Sequence, residues 1–455
     1  MDDRTSKNPV GVILAAGTGA RLGNGSKPLT RVAGIALLER SVRALRQAGV
    51  RRIVVVVGHA KEQIARFVDE RGLGVELVEN EDFTRGNGSS ALVGGRAAGE
   101  RFLVTMADHV VDPEAVARLI ASPARLAAAV DGTPRHCDVE EATKVLVDAG
   151  RVAAIARNLA DWNAVDAGMF VCDADLLPVA ERALADGDGS WNAVRRRAIA
   201  EGHEIDAVDL QGAFWIDIDT PAEARRAERL LIERAAAKPW DGPVARYVNR
   251  RLSKPLSLLF LRLGATPNAA TAAAFALTLV AACALGLGAE WPAALIVGGV
   301  LVQLASIVDG VDGEIARASL RTTPSGGFLD SVLDRVGDAA LLVGLAVAAG
   351  LDAATVGALA AALFGSLQVP YVKASYEAAF ARPFPPALTR LGVGRDVRLF
   401  VIAVFAIALQ PFWGLAVTAV LANLEAARRF IAGWRFERVS AAEPEAAASA
   451  PAPTD

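Results

Sequence analysis

The first half of the chain alternates short apolar runs with helical stretches. Between Pro9 and about Ala236, the runs VGVIL, RRIVVVV, FLVTM and AGMFVC are separated by segments rich in Ala, Arg and Glu. Short runs of this kind are typical of strands buried on both faces, and their alternation with helices indicates βαβ units. We therefore predict a soluble, Rossmann-like α/β domain with a mostly parallel sheet over residues 1–236.

The second half contains apolar runs long enough to cross a bilayer, taking ~20 residues per span and including polar ends for the weaker runs. A six-helix, all-α transmembrane domain is therefore predicted over residues 265–438. Its spans are expected near residues 268–289, 291–308, 339–350, 353–370, 399–410 and 412–427.

Two flanking segments have a different pattern. Residues 237–264 mix basic and apolar positions at helical spacing, which predicts an amphipathic linker helix lying in the membrane interface. Residues 439–455 are rich in Ala and Pro without an apolar face, which predicts a disordered tail. The N-terminal MDDRTSKNPV has no apolar signal-peptide core, so the first domain is expected in the cytosol.

Basic residues mark the orientation of the predicted spans. They concentrate in the segments 317–321, 373–398 and 428–438, whereas the alternate turns near Ala289, Leu351 and Pro411 contain none. Because Lys and Arg in short loops favour the cytoplasmic side, we expect a multi-pass protein of the plasma (inner) membrane. Both termini and both active sites are then cytoplasmic.

Charge and cysteine content narrow the function classes. The formal net charge is −3, so the charge balance does not indicate a nucleic-acid-binding protein. The three cysteines, Cys137, Cys172 and Cys283, are far apart and odd in number. This spacing fits neither a disulfide framework nor a zinc cluster, and a reducing compartment is expected.

Four carboxylates lie close together within the predicted membrane domain. Asp309 and Asp312 are spaced i, i+3, and Asp330 and Asp334 are spaced i, i+4, so each pair shares one face of a helix. Carboxylates at hydrocarbon depth are costly unless they face a polar cavity and bind something. Hard oxygen ligands suit a pair of Mg²⁺ or Mn²⁺ ions, which neutralise a diphosphate during displacement at phosphorus.

The segment DGVDGEIARASLRTTPSGGFLDSVLD resembles the complete signature of the CDP-alcohol phosphatidyltransferases, and TPNAAT at 266–271 resembles that family's opening of its first span. The alternative interpretation of the four aspartates is that they are polar residues paired inside the helix bundle of a transporter. The resemblance implies a six-helix fold, two metal ions and attack of a hydroxyl on a CDP-alcohol with CMP leaving. It implies that the metal ions are held by Asp309, Asp312, Asp330 and Asp334, with Asp334 also acting as general base. It implies that cytidine diphosphate contacts Gly313, Ala316, Arg317 and Gly326.

A glycine-rich loop follows the first predicted strand. Such a loop offers backbone N–H groups to phosphate, and Arg21 and Lys27 add positive charge. The pattern LAAGxGxRL followed by KPL resembles the signature of the sugar-nucleotide pyrophosphorylases, or nucleotidyltransferases. This resemblance implies that an acceptor phosphate attacks the α-phosphorus of a nucleoside triphosphate, and it implies nucleotide contacts at Leu14, Ala15, Ala16, Gly17, Gly19, Arg21 and Lys27.

The same resemblance assigns further residues. Asp108 and Asp219 occupy the family's positions for one magnesium ion, and strand parity ranks Asp219 above Asp217. His109, beside Asp108, is the better candidate among the histidines for a role in the site. The segment RGNGSSAL resembles the base-reading loop, with an ordinary polar turn as the alternative. The implied base contacts are Gly86, Asn87, Gly88 and Ser89, and the implied acceptor contacts are Lys144 and Asp166. In the second domain, the resemblance to the CDP-alcohol phosphatidyltransferases implies a basic pocket for an anionic acceptor at Lys373 and Arg395, with a solvated basic face as the alternative. Asp338 is interpreted as a polar residue of helix packing.

The segments LAAGTGARLG, KPLTRVAG, RGNGSSAL, MADHV and EATKV, together with the order of the two domains, resemble the bifunctional enzymes that join an inositol-1-phosphate cytidylyltransferase to a CDP-inositol:inositol-phosphate transferase. The resemblance implies that CTP and inositol 1-phosphate give CDP-inositol and pyrophosphate. CDP-inositol and a second inositol 1-phosphate then give di-myo-inositol phosphate phosphate, a compatible-solute precursor, and CMP. It also makes a homodimer through the membrane domain plausible.

Two other readings remain open at this stage. The same two chemistries could act on another phospho-alcohol or a lipid acceptor. A protein that only senses CTP is the alternative outside the enzymes, and the intact set of charged site residues argues against it.

Overall fold

The computed structural model describes residues 8–19, 26–238, 241–385 and 393–448, with side chains described to residue 437. It consists of two compact units, Met1–Leu230 and Leu231–Asp455. The division falls within a helix, Pro221–Ala236, whose end coincides with the predicted domain boundary at residue 236.

The first unit is an α/β structure. Its strands are Val10–Leu14 (β1), Arg31–Val32 (β2), Ile35–Ala36 (β3), Ile53–Val57 (β4), Glu76–Glu79 (β5), Phe102–Met106 (β6), His109–Val111 (β7), Leu126–Asp131 (β8), Lys144–Asp148 (β9), Arg151–Ala156 (β10), Ala164–Cys172 (β11), Asp206–Asp209 (β12) and Trp215–Asp217 (β13). Its helices are Leu37–Gln47 (α1), Lys61–Glu70 (α2), Asn87–Ala98 (α3), Pro113–Ile120 (α4), Leu177–Ala185 (α5), Trp191–Ala200 (α6) and Pro221–Ala236 (α7).

A nine-stranded sheet forms the centre of this unit, in the order β5-β4-β1-β6-β11-β8-β12-β10-β9. Strands β5, β4, β1 and β6 are parallel, as predicted, and β1 and β4 are buried along their whole length. The other half is mixed, because β11 runs antiparallel to both β6 and β8. The expectation of a mostly parallel sheet was therefore wrong beyond β6, where the antiparallel pair β9 and β10 replaces a crossover helix.

This topology brings the polar loops together. Because β1 and β6 are parallel neighbours with Leu14 opposite Met106, the glycine-rich loop after β1 and Asp108 after β6 leave the same edge of the sheet. A separate two-stranded ribbon pairs β7 with β13 and places Asp217 opposite His109. The segment that carries Asp219 therefore reaches the same edge.

The second unit is helical. A π-helical turn, Ala245–Asn249, leads into Arg250–Arg262 (α8), followed by Pro267–Leu287 (α9), Pro292–Ala318 (α10), Pro324–Ala349 (α11), Ala353–Phe380 (α12), Arg395–Ile407 (α13) and Pro411–Ala448 (α14). Four of these helices begin with proline, and the side chains of Thr266, Thr323 and Asp352 accept a backbone N–H in the first turn of α9, α11 and α12. Such caps satisfy N–H groups that have no partner within the helix.

Three helices of the second unit, α9, α10 and α12, are long and apolar enough to cross a membrane, with mean hydropathies of 2.1, 2.0 and 1.4. Among the remaining described helices, α11 carries several charged residues, and α13 has only 13 residues. Six helices thus follow α8, while length and composition alone identify three as spans. The second unit is therefore a membrane-protein unit whose six-span arrangement stays a prediction.

The end of α14 differs from the sequence-based expectation. A disordered tail was predicted from residue 439, but the helix continues to Ala448, and residues 449–455 lie outside the described part of the chain. Ala and Glu in the segment AAEPEAAA have high helix propensity, whereas Pro444 within it disfavours a helix, so composition alone does not account for the continuation.

A buried carboxylate joins the linker helix α8 to α10. Glu314, within α10, is 0% exposed. It accepts hydrogen bonds from Arg250 Nη1 at 2.7 Å, Ser253 Oγ at 2.5 Å and Ser257 Oγ at 2.6 Å. Arg250 also pairs with Asp241. Because a charge removed from water must be fully paired, this cluster fixes one face of α8 against α10.

Replacing Glu314 with alanine is expected to destabilise the second unit by about 2–5 kcal/mol, because two buried hydroxyls lose their acceptor and the half-buried Arg250 keeps only Asp241. The loss of stability is measured as a lower midpoint temperature of thermal aggregation for the full chain in detergent. Glu290→Ala, at an exposed position after α9, is the matched control and should melt with the wild type. Equal melting of Glu314→Ala and wild type would show that the cluster contributes nothing.

Candidate active sites

The glycine-rich loop and the polar ends of the sheet enclose a cavity of about 370 Å³. Gly19 adopts φ +59°, and a Cβ there would lie 2.4 Å from Lys27 Cβ, so only glycine lets the loop approach the following turn. Two predicted contacts are not among the lining residues: Ala16 is buried in the core, and Arg21 lies outside the described part of the chain, so the prediction for Arg21 stays open. The lining is Leu14, Ala15, Gly17, Thr18, Gly19, Lys27, Pro28, Ala107, Asp108 and Asp219.

Lys27 connects the two predicted metal ligands. Its Nζ lies 2.5 Å from Asp108 Oδ2 and 2.5 Å from Asp219 Oδ1. Burial lowers the pKa of Lys27, but the Asp108 charge and hydrogen bonds to both carboxylates raise it above its ordinary value overall. The ammonium is therefore held charged at the site where a nucleotide phosphate is expected.

A second group of ligand atoms adjoins Lys27. One ligand atom each of Asp108, His109 and Asp217 lies within 4.8 Å of the others, and all three residues are half-buried. Asp108 Oδ1, His109 Nδ1 and Asp217 Oδ1 are buried without a hydrogen-bond partner among the described residues. Burial raises the pKa of the Asp217 carboxyl, as expected for an acid that lacks a cation. These atoms fit a divalent cation.

The ranking of Asp219 above Asp217 does not match this geometry. Asp217 ends β13 directly opposite His109, so the ribbon turns its carboxylate toward Asp108 instead of away from it. Asp219, two residues later, is engaged by Lys27. Strand parity could not separate the two aspartates, because residues two positions apart share one face of a strand and β13 ends at Asp217.

A neighbouring cavity of about 360 Å³ shares Asp219 with the first and contains a buried ion pair. The Arg195 Nη1 and Nη2 atoms lie 2.9 and 2.5 Å from the two oxygens of Asp166. Asn87 lines this cavity while its Oδ1 accepts the backbone N–H of Trp191. Sequence reasoning found Asp166 and Asn87 but missed Arg195, because nothing in the helix WNAVRRRAIA distinguishes the buried arginine from its neighbours.

Several residues of the first unit that were predicted to contact ligands instead make contacts within the protein. Lys144 is not among the residues that line the cavity, and its Nζ donates to the carbonyls of Glu140 and Arg157. Ser89 is buried and donates to the Gly86 carbonyl at 2.8 Å. Gly86 has φ +112°, and a Cβ there would meet the Gly189 carbonyl at 2.5 Å. Gly86 and Ser89 therefore determine the conformation of this loop. Asn87, which was predicted to contact the base, is the residue among these three that lines a cavity.

The second unit contains a larger cavity, of about 830 Å³, lined by all four predicted aspartates. Ligand atoms of Asp309, Asp330 and Asp334 lie within 4.8 Å of one another, a spacing that fits a divalent cation. Asp312 Oδ2 accepts a hydrogen bond from Thr271 Oγ1 of α9 at 2.6 Å. The two pairs predicted from helical spacing therefore meet across α10 and α11.

Arg395, at the start of α13, contacts this acidic cluster directly. Its Nη1 lies 2.9 Å from Asp309 Oδ2 and 3.0 Å from Asp334 Oδ1, and its Nε lies 2.7 Å from Asp338 Oδ1. Asp338 is buried and pairs with this site arginine, so interpreting it as a packing residue missed its contact with the site. The predicted acceptor residue Arg395 is placed at the cluster, and Lys373 lines the same cavity.

The remaining signature residues surround the same cavity. Gly313, Ala316, Arg317 and Gly326 all line it. Arg317 Nε donates to the Ala235 carbonyl at 2.8 Å, and a Cβ at Gly313 would lie 2.9 Å from Arg317 Nη1. Sequence reasoning missed Glu314 and its partners. The signal was available, since a glutamate in an apolar helix demands partners and Arg250, Ser253 and Ser257 recur at helical spacing.

Comparison with known proteins identifies a domain family in each unit. Residues 11–197 match the MobA-like NTP transferase domain, and residues 265–424 match the CDP-alcohol phosphatidyltransferase family. A solved structure described as an inositol-1-phosphate CTP transferase from T. maritima is 26% identical, with a TM-score of 0.45, covering 48% of this chain and 92% of its own.

Two curated relatives span nearly the whole chain. A "Bifunctional IPC transferase and DIPP synthase" from Rubrobacter xylanophilus is 44% identical, covering 95% of this chain and 98% of the relative. A protein of the same description from Thermococcus kodakarensis is 36% identical, covering 87% of this chain and 89% of the relative. The chain therefore belongs to the family of bifunctional IPC transferases and DIPP synthases.

Proposed function

We propose that this chain makes CDP-inositol from CTP and inositol 1-phosphate, and then transfers its phosphoinositol group to a second inositol 1-phosphate. The observation that carries the proposal is the presence in one chain of two polar cavities, each with an acidic cluster and a lysine or arginine ion-paired to it. Full-length relatives described as bifunctional IPC transferases and DIPP synthases support the choice of substrates.

In the first reaction, a phosphate oxygen of inositol 1-phosphate attacks the α-phosphorus of CTP. The bond from that phosphorus to the bridging oxygen breaks, and pyrophosphate leaves. Lys27, held charged between Asp108 and Asp219, is positioned to bind the phosphates. One Mg²⁺ held by Asp108 with Asp217, Asp219 or His109 would neutralise charge on the triphosphate.

The acceptor of the first reaction is assigned to the cavity that contains Asp166. The carboxylate of Asp166 and the guanidinium of Arg195 are both nearly buried, with 8% and 5% of their side chains exposed. Such a fixed pair can orient the hydroxyls of a polyol without rearranging, because each group already holds the other. Asn87, at the start of α3, lines the same cavity.

In the second reaction, an inositol 1-phosphate hydroxyl attacks the phosphorus that carries inositol in CDP-inositol. The bond to the bridging oxygen breaks, CMP leaves, and the hydroxyl proton passes to Asp334. Two Mg²⁺ ions held by Asp309, Asp312, Asp330 and Asp334 would neutralise the diphosphate. Arg395 and Lys373 are assigned to the anionic acceptor, and Gly313, Ala316, Arg317 and Gly326 to cytidine diphosphate.

The cellular setting is also proposed. The distribution of basic residues supports a multi-pass protein of the plasma membrane with both termini and both sites in the cytoplasm. Exposed apolar side chains on α8, among them Leu252 and Leu259, support an interfacial position for the linker helix. A homodimer through the membrane unit is proposed from the family, and the product is assigned as a compatible-solute precursor.

The test is to incubate purified protein in detergent with Mg²⁺, CTP and inositol 1-phosphate and to quantify pyrophosphate, CMP and phosphorus-containing products. Release of pyrophosphate and CMP together with a dimeric inositol product is the expected result, and chelation of Mg²⁺ should stop both. If pyrophosphate is released only with another phospho-alcohol, that compound replaces inositol 1-phosphate as the assigned substrate. Failure to turn over CTP with any phospho-alcohol would favour CTP sensing.

A further inference from the structure

One wall of the large cavity comes from outside the residues that match the CDP-alcohol phosphatidyltransferase family. That match begins at residue 265, whereas Lys238, Asp241 and Gly242 also line the cavity. These residues precede α8, in the linker between the soluble domain and the membrane helices. The linker therefore contributes directly to the cavity that holds the four aspartates.

Lys238 is a charged side chain in this cavity that makes no direct ion pair in the described parts of the chain. It is half-buried, and no hydrogen bond or ion pair joins its Nζ to another residue in the described parts of the chain. Burial lowers the pKa of Lys238, the positive charges of Arg317 and Arg250 lower it further, and the charges of Asp241 and Asp312 offset only part of this. An ammonium group kept among other cations has a cost that an anionic ligand would remove.

Arg317 has an unsatisfied donor at the same place. Its Nε is bonded to the Ala235 carbonyl, but its Nη2 is buried and lacks a hydrogen-bond partner among the described residues. Buried guanidinium nitrogens are normally bonded, so an unpaired one in a cavity indicates a site for an acceptor oxygen. Lys238 and Arg317 together thus present donors to one part of the cavity.

Other cations that line the cavity are already paired with carboxylates. Arg250 pairs with Asp241 and Glu314, and Arg395 with the acidic cluster. Arg429 lies 2.6 Å from Glu425. Binding the diphosphate through Arg250 or Arg429 would break an existing ion pair, whereas Lys238 and Arg317 Nη2 require no such exchange.

We propose that Lys238 binds the diphosphate of the CDP-alcohol together with Arg317, so that the linker supplies a substrate-binding residue of the second reaction. This assignment rests on the proposed function, which makes a nucleoside diphosphate ester the ligand of this cavity. Lys238 acts by charge and hydrogen bonding and takes no part in proton transfer. Its contribution is expected in binding, because the diphosphate is charged before and during the reaction.

The test compares Lys238→Ala, Lys238→Arg and wild type as full-length protein in detergent. CDP-inositol and inositol 1-phosphate are supplied and CMP is measured, while pyrophosphate release from CTP is followed separately. CDP binding is titrated calorimetrically without acceptor. Lys254→Ala is the matched control, because Lys254 lies in α8 of the same linker and is not among the residues that line the cavity.

Lys238→Ala is expected to raise KM for CDP-inositol and Kd for CDP about tenfold, with pyrophosphate release unchanged. Lys238→Arg should keep most of the affinity, and Lys254→Ala should match wild type. Unchanged KM and Kd in Lys238→Ala would overturn the assignment, as would equal loss of both reactions, which indicates a structural role. If wild type does not use CDP-inositol, the proposed function fails, and the CDP titration still decides the role of Lys238.

Discussion

Replacement of Asp334 with alanine should stop the second reaction and leave the first intact, so that CDP-inositol accumulates while pyrophosphate release continues. Asp334 is a member of the acidic cluster with Asp309 and Asp330, and it is the residue assigned to accept the hydroxyl proton. Loss of a general base alone lowers a rate by about 10²–10⁴-fold, and loss of a metal ligand adds to this. CMP release should therefore fall by at least about 100-fold.

The measurement is CMP and pyrophosphate release from the same sample, which makes the first reaction an internal control for folding. Asp352→Asn is the matched variant, because Asp352 caps α12 away from the cavity and asparagine caps a helix equally well. It should behave as wild type in both reactions. CMP release by Asp334→Ala at near wild-type rate would exclude Asp334 as the general base.

Replacement of Lys27 with alanine should have the opposite effect, abolishing pyrophosphate release but not the transfer from supplied CDP-inositol. The substitution removes the cation that lies 2.5 Å from both Asp108 and Asp219. Removing one preorganised donor from a charge-stabilising site costs about 10²–10³-fold in rate. No dimeric product should form from CTP, while added CDP-inositol should restore it.

Pyrophosphate release and product formation with and without added CDP-inositol measure this effect. Lys61→Ala is the matched control, since Lys61 pairs with Glu79 on the surface of the first unit. Its pyrophosphate release should equal that of wild type. If Lys27→Ala retains pyrophosphate release, the glycine-rich loop does not bind the triphosphate as proposed; if added CDP-inositol fails to restore product, the two reactions are not separable.

The elements that could be predicted from sequence are those specified locally. Continuous apolar runs identified β1 and β4, and the segment TPNAAT marked the start of α9. The span expected near residues 339–350 is only the last part of α11, which begins at Pro324. The two-aspartate spacings indicated which carboxylates share a face, because helical periodicity fixes this within one element. The direction of β11 was not accessible in this way, since it depends on which distant strands pair.

The parts of the sites that escaped prediction depend on contacts between distant elements. Arg395 was expected to meet an anionic acceptor, but nothing in GVGRDVRL shows that it pairs with Asp338 and the acidic cluster. Asp217 was ranked below Asp219 on strand parity, but its approach to His109 follows from the pairing of β7 with β13, which the local sequence does not show. In both cases a charged residue was recognised, and its partner could be found only in three dimensions.

The buried contacts of Glu314 determine where this chain can be cut. Its three hydrogen-bond donors all lie before residue 265, where the family match begins, and the Ala235 carbonyl that holds Arg317 lies further upstream. A phosphotransferase expressed from residue 265 would lack all three donors, and the carboxylate of Glu314 would be left without its hydrogen bonds. The smallest independently folding membrane enzyme must therefore begin before Ala235, and the linker is a structural part of that enzyme whose length cannot vary as a flexible tether's can.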